Sequence, residues 1–203
     1  MFDICFVLIT APVTLVVGLV LSVVLLIVQG RPILYFAPRC GYLGRQFSAF
    51  KFRTMRPGAG SDTGVTGGQK QARVTALGAV LRRTRLDELP QLLNVLFGQM
   101  SMVGPRPPDP RYVALHPDIY HEVLQLRPGL TGLATLLMHS HEARILSDCT
   151  TPEETEQVYL RRCVPRKARL DRQYYAQLRV RSVFWLDFWL LCQSFMAVLG
   201  LRR

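Results

Sequence analysis

Residues 82–107 of the chain read RRTRLDELPQLLNVLFGQMSMVGPRP. Two adjacent carboxylates, Asp87 and Glu88, follow three arginines, and Pro90 comes shortly after them. Proline suits the first position of a helix, and leucines at positions 89, 93 and 96 recur at helical spacing. We therefore predict that a helix begins near Pro90, with the acidic pair at its start. Free backbone N–H groups and the helix dipole favour phosphate at such a terminus.

The acidic pair has two interpretations. A magnesium ion beside paired carboxylates would draw a diphosphate to the same place. Acidic residues are also common in the first turn of any helix, and the arginines before them would suit a solvated face. The turn Gly104-Pro105-Arg106-Pro107 favours the first interpretation, because it holds one arginine at a fixed angle and a guanidinium fork suits phosphate oxygens.

Residues 87–96 and 98–107 closely resemble the signature of the bacterial sugar transferases. These are the monotopic phosphoglycosyl transferases that start polysaccharide and glycoconjugate assembly. Residues 51–55 (KFRTM) and 127–132 (RPGLTG) resemble two further blocks of that family, in the same order along the chain. Residues 170–175 (LDRQYY) are similar to a fourth block, Asp-x-x-Tyr. Four ordered blocks make a far more specific match than any one of them alone.

The resemblance implies an enzyme that moves a sugar-1-phosphate from a UDP-sugar onto a polyprenyl (undecaprenyl) phosphate and releases UMP. In the family, the aspartate of the acidic pair attacks the phosphorus bound to the sugar, and a covalent phosphosugar intermediate forms. That role falls on Asp87. Glu88 would help to hold Mg²⁺ with Asp87, or would orient the lipid phosphate; the resemblance does not separate these two roles. The implied cofactor is Mg²⁺.

The resemblance also implies phosphate binding by cationic side chains, which here are Arg106, Lys51, Arg53 and Arg85. Lys51 and Arg53 lie on the same side of a predicted strand, so a solvated strand face is the alternative for both. Asp171, in the fourth block, would order an active-site arginine, with an ordinary surface ion pair as the alternative.

Composition narrows the range of partners. The chain carries a net charge of +11 and has a sequence pI of 10.0, yet 49% of its residues are hydrophobic. This combination fits a protein that lies on an anionic membrane surface or binds anionic substrates. We predict no nucleic-acid partner, because no nucleic-acid-binding motif is recognisable. The five cysteines are scattered and include no C-x-x-C pair, which argues against a disulfide framework and a zinc site.

The N-terminal segment is apolar, and residues 4–30 carry no charge. The stretch from Ile4 to Val28 would make a helix of about 38 Å, against a hydrocarbon core of about 30 Å. Because Pro12 breaks the helical hydrogen bonding, we predict either a kinked single-pass helix or the re-entrant helix–break–helix of the family. The basic residues that follow put the remainder on the cytoplasmic face of the bacterial inner membrane in either case.

The whole pattern predicts an α+β fold that is mainly helical. Residues 1–30 form the membrane helix, and residues 31–203 form a small cytoplasmic, membrane-associated sugar transferase domain with short strands. Thr151 and Pro152 start a helix that Pro165 interrupts. Residues 182–199 are apolar and aromatic, which predicts an interfacial amphipathic helix, with a buried core helix as the alternative. A glycine-rich loop is predicted at residues 56–71.

The partners expected from the resemblance are UDP-sugar, polyprenyl phosphate and inner-membrane lipid, and a homo-oligomer is compatible with it. A competing hypothesis is a non-catalytic module that recruits partners to an anionic membrane surface through its basic side chains. The intact Asp87-Glu88 pair and the Pro-Arg-Pro turn argue against that hypothesis.

Overall fold

Residues 2–56, 73–180 and 184–198 are described in a computed structural model of the chain. Except for Arg56, the predicted glycine-rich loop lies outside these residues. The helices are α1 (Phe2–Gln29), α2 (Ala76–Arg83), α3 (Gln91–Leu96), α4 (Pro110–Leu115), α5 (Pro117–Val123), α6 (Leu133–Leu146), α7 (Pro152–Val158), α8 (Val164–Val180) and α9 (Phe184–Val198). The strands are β1 (Leu34–Cys40), β2 (Gln46–Phe52), β3 (Ser101–Val103) and β4 (Gly129–Thr131). The predicted α+β, mainly helical class is confirmed.

Helix α1 is long and apolar enough to cross a membrane, and in the described part of the chain it alone meets that test. Its helical structure continues through Pro12 without the break that the family resemblance predicts. The hydroxyls of Thr10 and Thr14, which stand on either side of the proline, donate to the carbonyls of Phe6 and Ala11. These bonds do not reach the carbonyl of Leu8, which is the one that Pro12 leaves without its usual N–H donor.

Both ends of α1 are tied to the domain that follows it. The carboxylate of Asp3 accepts hydrogen bonds from Ser101 Oγ at 2.9 Å and from the Met102 backbone N–H at 3.0 Å. At the other end, Arg53 Nη2 donates to the carbonyls of Gln29 and Gly30. The helix therefore lies along the domain instead of projecting away from it.

Strands β1 and β2 form an antiparallel hairpin in which Tyr35 pairs with Lys51 and Phe36 with Phe50. The predicted strand with Lys51 is confirmed, although it ends at Phe52 and leaves Arg53 outside, and Gly41 and Gly44 lie in the turn between the two strands. Phe52 is buried together with Leu25 of α1 and Leu81 of α2. A second cluster joins both ends of the chain, because Val7 of α1 and Leu190 of α9 pack with residues of α3 and β3.

Strands β3 and β4 are parallel and bring the turn with Arg106 against the 127–132 block. The Gly104 N–H donates to the Thr131 carbonyl, and the Gly129 N–H donates to the Pro105 carbonyl, both at 2.8 Å. A Cβ on Gly129 would collide with the backbone of Gly104. Two sequence blocks that stand apart along the chain are thus one packed unit that holds the arginine turn.

The predicted helix start at Thr151 is confirmed, since the Glu154 N–H donates to Thr151 Oγ1 at 3.1 Å. Pro165 does not separate two helices by a loop. Residues Tyr159–Cys163 form a π turn that connects α7 to α8 directly. Proline lacks an N–H for the usual bond to the carbonyl four residues earlier, and the wider π turn removes the clash with that carbonyl.

Helix α9 has Asp187 as its one charged residue, and Tyr174 of α8 donates its hydroxyl to that carboxylate at 2.6 Å. Leu190 is fully buried, whereas Trp185 and Trp189 are exposed. The helix therefore has one face in the core and an aromatic face turned outward, as predicted for an interfacial helix. All five cysteines are free thiols, as their scattered positions predicted.

Candidate active site

The acidic pair lies in a 3₁₀ turn, Leu86–Glu88, that separates α2 from α3. Helix α3 starts at Gln91 with Pro90 as its N-cap, so the predicted helix start is correct to one residue. The acidic pair lies in the turn that leads directly into α3, next to the predicted helix start, and not within α3 itself. Arg85 has φ +55°, a left-handed conformation that costs energy for a side chain other than glycine. This reversal after α2 directs both carboxylates inward, and they are only 8% (Asp87) and 6% (Glu88) exposed.

Glu88 is surrounded by cations from three parts of the chain. Its Oε1 accepts from Lys51 Nζ at 2.7 Å and from Arg106 Nη2 at 2.5 Å. Its Oε2 accepts from Arg106 Nη1 at 3.4 Å and lies 3.6 Å from Arg85 Nη1. Three of the four predicted phosphate-binding residues therefore converge on one carboxylate.

Asp87 differs from its neighbour in having no such partner. Among the described residues, no donor is within hydrogen-bonding or ion-pair distance of its carboxylate. Burial raises the pKa of Asp87, and the charge of Glu88 adds to the increase, while Lys51, Arg106 and Arg82 oppose it. An uncommitted carboxylate among cations that favour its ionised form is what a nucleophile requires.

The pKa of Glu88 responds in the opposite direction. Burial alone would raise it, but the combined charges and hydrogen bonds of Arg106, Lys51 and Arg85 hold it well below its usual range. Lys51 is itself affected by burial, which lowers its pKa, while Glu88 opposes that decrease. Glu88 thus stays ionised, and it keeps three cations beside Asp87 before any substrate arrives.

Asn94 fixes the distance between the strand with Lys51 and the segment with Glu88. It is fully buried, accepts from the Phe50 N–H at 3.0 Å and donates to the Ser48 carbonyl at 2.8 Å. Helix α3 is thereby fastened to the edge of β2. We did not assign Asn94 from the sequence, although a polar residue inside the apolar run 92–96 was a visible signal.

Arg82 is a second residue that we did not assign. Its Nε donates to Thr54 Oγ1 at 2.8 Å, which holds it between the end of β2 and the acidic pair. Its charge is among those that act on the Asp87 carboxylate. It is therefore a further cation at the edge of the site.

Arg53 does not join the cations around Glu88, because its Nη2 is used by the carbonyls at the end of α1. Its Nε and Nη1 are buried and have no hydrogen-bond partner in the described part of the chain. Asp171 lies on α8 and makes no bond to an arginine among the described residues. The phosphate-binding role of Arg53 and the supporting role of Asp171 stay predictions.

The buried carboxyl of Asp171 should make the stability of the protein depend on pH. Burial raises its pKa to about 7 from 3.8, with Lys167 opposing the increase. A carboxyl shifted upward contributes stability that is fully present below its unfolded pKa and is lost as pH rises through about 7. We expect Asp171→Asn to be more stable than the unaltered protein at about pH 8 and to lose that advantage at about pH 4. Denaturant unfolding of both proteins at the two pH values tests this. The expectation would be contradicted if the difference in unfolding free energy were the same at both pH values.

Magnesium fits this site through Asp87 more readily than through Glu88. Both oxygens of Glu88 already accept from cations, whereas the oxygens of Asp87 are uncommitted. Mg²⁺ is often held by one or two carboxylates together with substrate phosphates and water, so one free carboxylate is enough. Within the described residues, no three His, Cys, Asp or Glu side chains form a group that could hold a metal.

Comparison with known families supports the resemblance across nearly the whole chain. A family model described as bacterial sugar transferase matches residues 1–201. The chain belongs to the bacterial sugar transferase family. The prediction made from the four sequence blocks is therefore confirmed, and the converging side chains described above lie within the matched region of the family.

Relatives in this family are named for transfer to undecaprenyl phosphate. A UDP-glucose:undecaprenyl-phosphate glucose-1-phosphate transferase of Klebsiella pneumoniae is 36% identical over 64% of this chain and 29% of its own length. The protein of that name from Xanthomonas campestris pv. campestris is 33% identical over 83% of this chain and 32% of its own length. A putative undecaprenyl-phosphate N-acetylgalactosaminyl 1-phosphate transferase of Bacillus subtilis (strain 168) is 43% identical over 53% of this chain and 60% of its own length. The chain thus matches less than two thirds of each of these relatives.

Proposed function

We propose that this member of the family transfers a sugar-1-phosphate from a UDP-sugar to a polyprenyl phosphate, releasing UMP, as the first step of polysaccharide or glycoconjugate assembly. One observation carries the proposal: Asp87, a buried carboxylate without a partner among the described residues, stands beside a second carboxylate that gathers Lys51, Arg85 and Arg106. The names of the relatives support the acceptor and the class of group transferred.

The reaction proceeds in two displacements at one phosphorus atom. A carboxylate oxygen of Asp87 attacks the phosphorus that carries the sugar, and the bond from that phosphorus to the bridging oxygen breaks. UMP leaves with the bridging oxygen. An oxygen of polyprenyl phosphate then attacks the same phosphorus and displaces Asp87. The intermediate acyl phosphate retains the transfer potential of the diphosphate, so neither step is steeply uphill, and covalent catalysis divides one transfer into two.

The cations gathered by Glu88 supply the electrostatic part of this chemistry. Phosphoryl transfer depends mainly on positioning and on neutralising phosphate oxygens. Arg106 and Lys51 are already held beside Asp87, so little reorganisation is needed when the diphosphate binds. Glu88 balances their charge, which keeps the site from being strongly cationic before the donor arrives.

Mg²⁺ is proposed as the cofactor, held by Asp87 and by oxygens of the donor diphosphate. When bound, it would neutralise charge on the diphosphate. The alternative, in which Glu88 is also a ligand, would require the metal to displace Arg106 or Lys51. Replacing Glu88 by Gln distinguishes the two arrangements, because direct ligation predicts a large increase in the Mg²⁺ concentration needed for half-maximal activity.

We further propose that α1 rests in the cytoplasmic leaflet of the inner membrane without crossing it. A helix of this length is about 42 Å long. In a straight span its ends would lie on opposite sides of a hydrocarbon core of about 30 Å. Asp3 and Gly30, near the two ends of α1, instead make hydrogen bonds to the same domain. This favours a monotopic arrangement, which lets a soluble nucleotide sugar and a long-chain lipid reach one site.

A UMP-release screen tests the proposed function directly. Purified protein would be supplied with Mg²⁺, polyprenyl phosphate and a panel of UDP-sugars that begins with UDP-glucose, the donor in the names of two relatives. We expect UMP release that depends on the acceptor for at least one donor. Binding to anionic vesicles with no turnover for any donor would favour the recruitment module instead.

Arg106→Ala should weaken use of the donor. Removing the guanidinium removes a phosphate ligand and leaves Glu88 with less neutralisation, so we expect the KM for UDP-sugar to rise by about tenfold or more and kcat to fall. Arg111→Ala is the matched control, because that arginine binds Asp109 on the surface. Steady-state kinetics of both variants provide the measurement, and equal kinetics would remove Arg106 from the site.

A further inference from the structure

Three stacked phenylalanines form an apolar patch on the face of the hairpin opposite Lys51. The ring centroids of Phe36 and Phe50 are 5.5 Å apart, and those of Phe50 and Phe97 are 6.4 Å apart, both in edge-to-face geometry. Phe36 is 55% exposed and Phe97 is 65% exposed. Two exposed leucines of α3, Leu93 and Leu96, extend the patch. We call these five residues the aromatic ledge.

The aromatic ledge continues the apolar surface of α1. Phe50 and Phe52 point to the same face of β2, because side chains alternate along a strand. Phe52 is buried against Leu25 of α1. Leu89, two residues before α3, reaches α1 at Gly18, where an added Cβ would lie 3.7 Å from Leu89 Cδ2. The ledge therefore begins where the contact with α1 ends.

The stretches of sequence that carry most of the ledge are free of charge. Residues 89–105 contain no Asp, Glu, Lys or Arg, and neither do residues 32–38. The exposed side of α1 consists mainly of leucine, isoleucine and valine. Exposed aromatic and aliphatic residues in a contiguous patch mark an interaction surface, and phenylalanine with leucine is typical of faces buried in the interfacial region of a bilayer.

We propose that the aromatic ledge inserts into the same lipid leaflet as α1 and forms a second membrane contact, separate from α1 and α9. The occupant is the acyl region of the bilayer, since the ledge is continuous with α1 and is uncharged. This inference rests on the membrane association proposed above for α1. It goes further by assigning a membrane contact to the β1–β2 hairpin, which carries Lys51, and to α3, which follows the acidic pair.

The ledge has a consequence for the site because of where α3 begins. Gln91, its first residue, follows Glu88 by three positions, and Phe50 directly precedes Lys51. A bilayer contact at the ledge therefore fixes the height of the acidic pair above the lipid. A polyprenyl phosphate whose chain stays in the leaflet would then meet Asp87 without leaving the membrane.

Tryptophan fluorescence with brominated lipids tests the ledge. In full-length protein with Trp185→Phe and Trp189→Phe, single probes are placed by Phe97→Trp, by Phe36→Trp, and by Leu115→Trp as a control. Leu115 is 59% exposed but lies on α4, away from the contact with α1. Ile9→Trp on α1 reports membrane association of the helix. Each protein is reconstituted into vesicles with bromine atoms on the acyl chains.

We expect strong quenching and blue-shifted emission for Phe97→Trp, Phe36→Trp and Ile9→Trp, and little quenching for Leu115→Trp. Quenching of Ile9→Trp without quenching at either ledge probe would overturn the ledge while leaving α1 in the membrane. Equal quenching of Leu115→Trp would also overturn it, as would ledge emission that shifts with protein concentration, the mark of a second copy. No quenching at any probe would overturn the membrane association itself.

Discussion

Asp87→Asn should abolish UMP release while leaving the protein folded. The amide has nearly the same volume as the carboxylate, and Asp87 makes no hydrogen bond to another described side chain, so little stability depends on it. The asparagine amide cannot attack phosphorus, because its nitrogen and oxygen lack the nucleophilicity of a carboxylate. We expect turnover to fall by at least about a thousandfold, as for other covalent nucleophiles. Acceptor-dependent UMP release, with circular dichroism as the check on folding, provides the measurement.

Asp118→Asn is a matched control, because it makes the same exchange at an exposed position of α5. That variant should keep its turnover. Substantial release by Asp87→Asn would assign the nucleophile to another residue, and the two-displacement scheme would then fail.

Glu88→Ala should produce the largest loss of stability among the site variants. The substitution removes the counter-charge of Lys51, whose side chain is mostly buried, and of the more exposed Arg106. Removing one partner of a buried ion pair costs about 3 kcal/mol or more, because the remaining charge is uncompensated. The contribution of Glu88 is present above its unfolded pKa of 4.5 and is lost as pH falls through its lower folded value. Denaturant unfolding of the detergent-solubilised protein at about pH 7 measures the loss.

Glu122→Ala is the comparison for this effect. Glu122 pairs with Arg172 at 2.9 Å on the surface, where both side chains are largely exposed. Exposed pairs contribute about 0–1 kcal/mol, so this variant should be nearly as stable as the unaltered protein. Equal losses for the two variants would show that Glu88 does not organise a buried cluster.

Part of the candidate site could be predicted from the sequence blocks, because local residue preferences determine part of the structure of each block. Proline and leucine spacing indicated α3 to within one residue, and the glycines of the 104–107 and 127–132 blocks fit a close backbone contact. The convergence of Lys51 and Arg106 on Glu88 could not be predicted from spacing. It depends on how the hairpin packs against α3 and on the β3–β4 pair, which are contacts between distant parts of the chain.

Other features depended on choices that a sequence pattern does not encode. The left-handed conformation of Arg85 gives no signal in a run of arginines, yet it turns both carboxylates inward. Pro12 predicted a kink or a break in α1, whereas the helix continues from Phe2 to Gln29. Arg53 and Lys51 were predicted to share a strand face and were given the same role, but β2 ends at Phe52 and Arg53 is engaged by the end of α1.

Mass spectrometry of the acid-quenched protein tests directly whether Asp87 forms the covalent phosphosugar intermediate. The unaltered protein would be mixed with Mg²⁺ and its preferred UDP-sugar without acceptor, quenched, digested and sequenced. We expect a peptide whose mass has increased by one phosphosugar, with the modification on Asp87. We expect this added mass to be lost when polyprenyl phosphate is added before the quench. An active protein whose Asp87 peptide stays unmodified, or which has the adduct on another residue, would contradict it.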